Sequence, residues 1–99
     1  MTTADTAAEI LVEGRVQGVG YRHYACRRAV GLGLEGWVMN LRDGRVRLRA
    51  EGPRERIVEL VRALEQGPPL SLVLKVDVCW LPPTGRFAGF DVLLHEVEP

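Results

Sequence analysis

Two amphipathic helical stripes set among alternating apolar runs predict an α+β sandwich, with two helices packed on one face of an antiparallel sheet of four to five strands. The order of the segments decides between architectures: strand, helix, strand, strand, helix, strand, then a further short strand at the end. That order is the split βαβ, or ferredoxin-like, arrangement, and it uses every apolar stripe in the chain. With 99 residues the chain has room for one modest core, so a single domain over residues 1–99 is expected.

Residues 1–7 are small and polar and read as a frayed, disordered tail. From Glu9 the chain alternates, placing Ile10, Val12 and Val16 on one face and Leu11, Glu13 and Arg15 on the other, as in a strand with one buried face. Residues 17–20 form a turn. Tyr21, Ala25, Ala29 and Leu32 then recur at helical spacing, with Arg27 and Arg28 on another face, and Gly31 and Gly33 mark the helix end. Residues 34–39 form a short strand containing Trp37 and Val38. It runs into Asn40-Leu41-Arg42-Asp43-Gly44, a hairpin whose Asp-Gly pair suits such turns.

Residues 45–51 alternate cleanly, with Val46, Leu48 and Ala50 inward and Arg45, Arg47, Arg49 and Glu51 outward. Gly52 and Pro53 are expected to open the second helix, whose buried stripe is Ile57, Leu60, Val61 and Leu64. Gly67-Pro68-Pro69 stops it. Residues 72–81 form a long strand with Leu72, Leu74, Val76, Val78 and Trp80 on one side. After a turn at residues 82–85, residues 87–94 form the last strand, with Phe90, Val92 and Leu94 inward, followed by a short acidic tail.

Composition narrows the function classes. Formal net charge is zero, which argues against a protein that coats nucleic acid or an acidic membrane by bulk attraction. Cys26 and Cys79 stand far apart and match neither a metal knuckle nor a redox pair, so both read as reduced thiols. The N-terminal residues lack the basic start and apolar segment of a secretion signal, and no apolar run reaches membrane-spanning length. A cytoplasmic protein is expected.

The chemistry gathers at Gly14-Arg15-Val16-Gln17-Gly18-Val19-Gly20-Tyr21-Arg22. Glycines let a backbone take positive φ and approach a ligand closely. The free N–H groups of the helix start favour an anion there. Arg22, in the first helical turn, adds a permanent charge and a fork of donors that grips two phosphate oxygens at once. The stretch is not a nucleotide P-loop, because no Gly-Lys-Ser/Thr follows. A small phosphate site and a purely structural turn both fit this loop taken alone.

With both segments placed, the chain resembles the acylphosphatase family. The resemblance is carried by the loop motif just quoted, followed by Gly36-Trp37-Val38-Met39-Asn40 and Asp43-Gly44-Arg45-Val46, with Glu51-Gly52 and Gly67-Pro68-Pro69 at either end of the second helix. It runs from about residue 9 to residue 94. Gly20 departs from the family, standing where many members carry a larger residue.

The resemblance implies a small ferredoxin-like enzyme that hydrolyses the carboxyl-phosphate bond of acyl phosphates with no metal and no organic cofactor. It implies that Arg22 holds the phosphate and Asn40 positions the attacking water. The backbone of Gln17, Gly18, Val19, Gly20 and Tyr21 would supply further donors to the phosphoryl oxygens. The implied partners are a small-molecule acyl phosphate and inorganic phosphate or a similar anion, with no nucleic acid and no membrane, in a monomer.

Other side chains have plainer expected roles. His23 reads as a solvated helix histidine, His95 as a residue of a fraying end, and Cys26 and Cys79 as packing residues without a basic partner. Trp37 and Trp80 read as core or sheet-face aromatics, and Arg45, Arg47 and Arg49 as a solvent-facing basic strand. Two non-enzyme alternatives share the fold. One is a regulatory module whose loop binds an anion without turnover. The other is an RNA-binding module, which the lack of an aromatic on the 45–51 strand disfavours.

Overall fold

In the computed structural model, which describes residues 5–94, the sheet grows outward from β1 (Asp5–Arg15). The chain continues through α1 (Tyr21–Gly31), β2 (Glu35–Asn40), β3 (Val46–Pro53), α2 (Arg54–Gln66), β4 (Leu72–Leu81) and β5 (Phe90–Val92). The strands lie in the order β4-β1-β3-β2-β5. Ile10 stands between Leu48 and Val78, and Val12 between Val46 and Val76.

Ala8, Ile10, Val12, Val38, Val46, Leu48 and Ala50 point to one face, where both helices cover them with Tyr21, Ala25, Ala29, Ile57, Leu60 and Leu64. Burying each of the larger aliphatic side chains is worth about 1.5–3 kcal/mol. The two helices are also joined through polar groups. Tyr21 and Tyr24 on α1 donate their hydroxyls to the Leu64 and Ala63 carbonyls in the last turn of α2, both at 2.7 Å. The Ala63 carbonyl also accepts from the Gly67 N–H at 2.9 Å, whereas residue 68 is a proline with no N–H to offer Leu64, so the Tyr21 bond satisfies a carbonyl that burial would otherwise penalise.

The expected α+β sandwich is what forms, and several boundaries differ for identifiable reasons. β1 begins at Asp5, so residues 5–7 belong to the sheet instead of the expected tail. Ala7 is fully buried and pairs with both Glu51 and Leu81. Threonine and alanine carry too weak an apolar signal for that strand start to show. The longer β1 gives Thr6 and Asp5 as partners to Gly52 and Pro53. Those two residues therefore finish β3 instead of opening α2. The helix starts at Arg54, and its buried stripe uses Ala63 where Val61 was expected, Val61 being only half-buried.

β4 keeps its expected span, but its inward set changes phase. A bulge at Glu13 and Gly14 pairs Glu13 with Lys75 and Gly14 with Val73. A one-residue slip exchanges the faces of a strand. Val73 therefore packs against the core, while Leu72 and Leu74 are 57% and 73% exposed. Gly14 sits at φ 132° against the opposing strand, where a Cβ would come 2.1 Å from the Leu72 carbonyl oxygen.

The sheet is also mixed, because β5 lies parallel to β2 where an all-antiparallel sheet was expected. β4 ends beside the start of β1, and the chain then crosses that end of the sheet over residues 82–89. It arrives next to the start of β2 and has one direction left to run. β5 is three residues long. Phe90 is buried and Val92 packs on the core, but Leu94 is exposed, against expectation. The acidic tail and His95 lie outside the described residues.

The crossing is fastened by Glu51. Its carboxylate accepts from the Thr84 N–H (3.0 Å), the Thr84 hydroxyl (2.9 Å), the Gly85 N–H (3.0 Å) and Arg49 Nη2 (3.1 Å). Glu51 is on the outward side of β3, as expected, but this segment covers it to 5% exposure. Burial alone would raise its pKa, yet the bonds from Gly85, Thr84 and Arg49 hold it below the ordinary value.

A depressed folded-state pKa contributes stability above the unfolded value, and that stability is lost as pH falls through the folded one. Glu51→Gln should therefore cost about 1.5–3 kcal/mol at neutral pH. In urea titrations the gap between variant and wild type should begin to close below about pH 4.3 and shrink further through the folded pKa. A gap that stays constant down to acid pH would show that the carboxylate charge contributes nothing.

Candidate active site

The connection between β1 and α1 hangs from buried residues on both sides. Val16 and Tyr21 are each 1% exposed, and Val19 between them packs against the core. Gly18 and Gly20 lie on the outside at φ 74° and 77°. A Cβ at either would meet nothing within 4 Å, so left-handed backbone and not crowding calls for glycine there. Gly20 is the N-cap of α1, and no side chain caps the first amides of the helix. Those N–H groups keep their donor capacity for an anion, with the positive end of the helix dipole behind them.

Arg22 stands in the first turn of α1, half-buried. Its Nη1 donates to the Leu93 carbonyl at 2.7 Å and the Leu94 carbonyl at 3.0 Å. Leu93 in turn donates its N–H to the Val38 carbonyl at 2.8 Å, extending the β2–β5 pairing beyond β5. The parallel run of β5 thus delivers two main-chain acceptors to the helix start, beside the end of β2. They take one nitrogen of the guanidinium; Nε and Nη2 have no partner among the described residues.

Asn40 is the last residue of β2, paired with Val46 across the hairpin. Its Oδ1 is buried and has no hydrogen-bond partner among the described residues. Buried amide oxygens in folded proteins nearly always have one, from protein or water. The hairpin itself closes through Leu41 N–H to the Arg45 carbonyl (2.8 Å) and Gly44 N–H to the Leu41 carbonyl (3.2 Å). Arg45 is held by Asp43, and its guanidinium bonds keep the Asp43 carboxyl below its ordinary range.

The loop and the hairpin meet through Gln17. Its side-chain nitrogen donates to the Leu41 carbonyl at 2.7 Å and the Arg45 carbonyl at 2.9 Å. The residues expected at the site therefore lie on the β1–α1 loop, the first turn of α1 and the end of β2. Arg22 is tethered through residues 93–94, and the loop is tethered through Gln17. The Gln17 side chain and the Leu93 and Leu94 carbonyls were not foreseen. Main-chain acceptors leave no mark in a sequence, and a glutamine in a turn carries no signal of its own.

The remaining singled-out residues stay away from this cluster. His23 is exposed on α1. Cys26 donates its thiol to the Phe90 carbonyl at 3.5 Å, and burial together with the Asp91 charge pushes it up, away from a reactive thiolate. On the helix-free face of the sheet Arg47 pairs with Glu9 and lies 5.8 Å from the Trp37 ring, while Arg49 bridges Glu9 and Glu51. A hollow of about 590 Å³ on that face, lined by Glu9, Leu11, Arg47, Asp77 and Cys79 among others, includes neither Arg22 nor Asn40. Among the described residues no helix is long and apolar enough to cross a membrane.

Comparison with known proteins decides what this arrangement belongs to. The family model for acylphosphatase matches residues 8–92. The chain belongs to the acylphosphatase family. The acylphosphatase of Methylococcus capsulatus is 52% identical over 84 residues, covering 85% of this chain and 91% of that protein. That of Cupriavidus metallidurans is 49% identical over 93 residues, covering 94% and 97%. The crystal structure of acylphosphatase from Bacillus subtilis superposes with a TM-score of 0.86 at 36% identity, covering 89% of this chain and 98% of that one. The acylphosphatase match takes in the loop, α1, the hairpin and all of β5, so every residue gathered above except Leu93 and Leu94 falls inside it.

Proposed function

We propose that the protein hydrolyses acyl phosphates to a carboxylate and inorganic phosphate by direct attack of water on phosphorus. Arg22 and the main-chain N–H groups of Gln17, Gly18, Val19, Gly20 and Tyr21 hold the phosphoryl oxygens, and Asn40 orients the water. The chain is an enzyme of its family, and acyl phosphates are its substrate class.

An acyl phosphate is an activated anhydride whose leaving carboxylate is stable at neutral pH, so no general acid is needed to protonate it. What remains is to hold the phosphoryl group, spread its charge and align a water. A guanidinium and uncapped amides do the first two. The observation that carries the third is the buried Oδ1 of Asn40, unpartnered among the described residues. A bound water would satisfy it, and the amide orients that water without becoming charged.

The enzyme acts on a small molecule as a cytoplasmic monomer. The ion-paired arginines of the open sheet face and the zero net charge favour neither nucleic acid nor a membrane as partner, and the two free thiols suit a reducing compartment. The direct test is hydrolysis of an aryl acyl phosphate in excess metal chelator. Turnover should be unchanged by the chelator and inhibited competitively by inorganic phosphate. Phosphate binding with no turnover would move the protein to an anion-binding regulatory role.

A further inference from the structure

The two halves of the site come from separate stretches of chain, and one side chain joins them. We infer that Gln17 is a positioning residue that sets Asn40 against the phosphate loop, an inference that rests on the role of Asn40 given above. Both hydrogens of its amide are committed, to the carbonyls of Leu41 and Arg45. Those residues immediately flank the Asn40–Val46 pair on the turn side. A single planar group thus grips both strands of the hairpin one residue beyond Asn40, while its own backbone lies in the loop.

The Oδ1 of Asn40 takes no part in this registration, since it has no hydrogen-bond partner among the described residues. The hairpin's own closing bonds, from the Leu41 N–H to the Arg45 carbonyl and from the Gly44 N–H to the Leu41 carbonyl, fix its turn but not its distance from the loop, and reacting groups misplaced by about 1 Å can lose on the order of a hundredfold in rate. Gln17 binds two acceptors through donors only, so glutamate in its place sets a carboxylate against two carbonyls. Methionine keeps the length of the side chain and removes both donors.

Turnover of an aryl acyl phosphate and inhibition by inorganic phosphate should be measured for Gln17→Met, Gln17→Glu, Asn40→Ala and the Gln17→Met/Asn40→Ala double variant. Each Gln17 variant should lose about tenfold to a hundredfold in kcat, with the phosphate inhibition constant changed less than about threefold. Retained phosphate binding also shows that the variant is folded. In the Asn40→Ala background Gln17→Met should have almost no further effect on kcat, because it acts through a group already removed.

A full additional loss in that background would overturn the inference while leaving the role of Asn40 intact. So would phosphate inhibition weakened in step with kcat in both Gln17 variants, which would assign the amide to shaping the cradle. Undiminished turnover in Asn40→Ala alone would instead remove the role of Asn40 on which the inference rests.

Discussion

Replacing Arg22 by lysine should reduce kcat/KM for an aryl acyl phosphate nearly as far as replacing it by alanine, on the order of a thousandfold. The structure gives the reason. Nη1 is taken by the carbonyls of Leu93 and Leu94, and the rigid plane of the guanidinium then aims its other nitrogens away from those acceptors. Lysine has one nitrogen. If it stays with the carbonyls it cannot meet the phosphoryl oxygens in a fixed fork, and if it follows the phosphate it abandons its anchor. Steady-state kinetics with phosphate inhibition checks this, and near-normal turnover in Arg22→Lys would remove Arg22 from the centre of the site.

Asn40→Ala should behave in the opposite way, with phosphate inhibition nearly intact and kcat lowered on the order of a hundredfold or more. Asn40 is at the end of β2 and not on the loop, so its loss leaves the amides of residues 17–21 and Arg22 in place. A group that only aligns water contributes to the transition state and little to ground-state binding. The measurement is the separation of kcat from the phosphate inhibition constant. A parallel fall in affinity would make Asn40 a phosphate ligand.

Much of this was legible from residue order. The alternation of 45–51 and the helical spacing of Tyr21, Ala25 and Ala29 report burial directly, and the glycine pattern marks the loop because positive φ leaves few other choices. What could not be read depends on which strand lies next to which. The bulge at Gly14 turned Leu72 and Leu74 outward, and the partners of Gly52 and Pro53 exist only because β1 starts early. Glu51 is buried by a segment more than thirty residues downstream, and no local pattern announces that. In the site, the glycines and Arg22 are visible as types, whereas the grip of Gln17 on two carbonyls and of Arg22 on two others follows from topology alone.

The position of β1 between β3 and β4 has a consequence for how the protein is made. The strand that leads into the glycine-rich loop takes its neighbours from residues 46–53 and 72–81, so in a growing chain that loop emerges before the strands that flank β1. Contacts this distant in sequence form slowly, because the loop closed between them must be ordered first. A nascent chain ending before Leu72 carries Gln17, Arg22 and Asn40, yet one side of β1 is bare and the carbonyls that orient Arg22 do not exist. The contacts that hold Arg22 are therefore complete only once synthesis has passed Leu94.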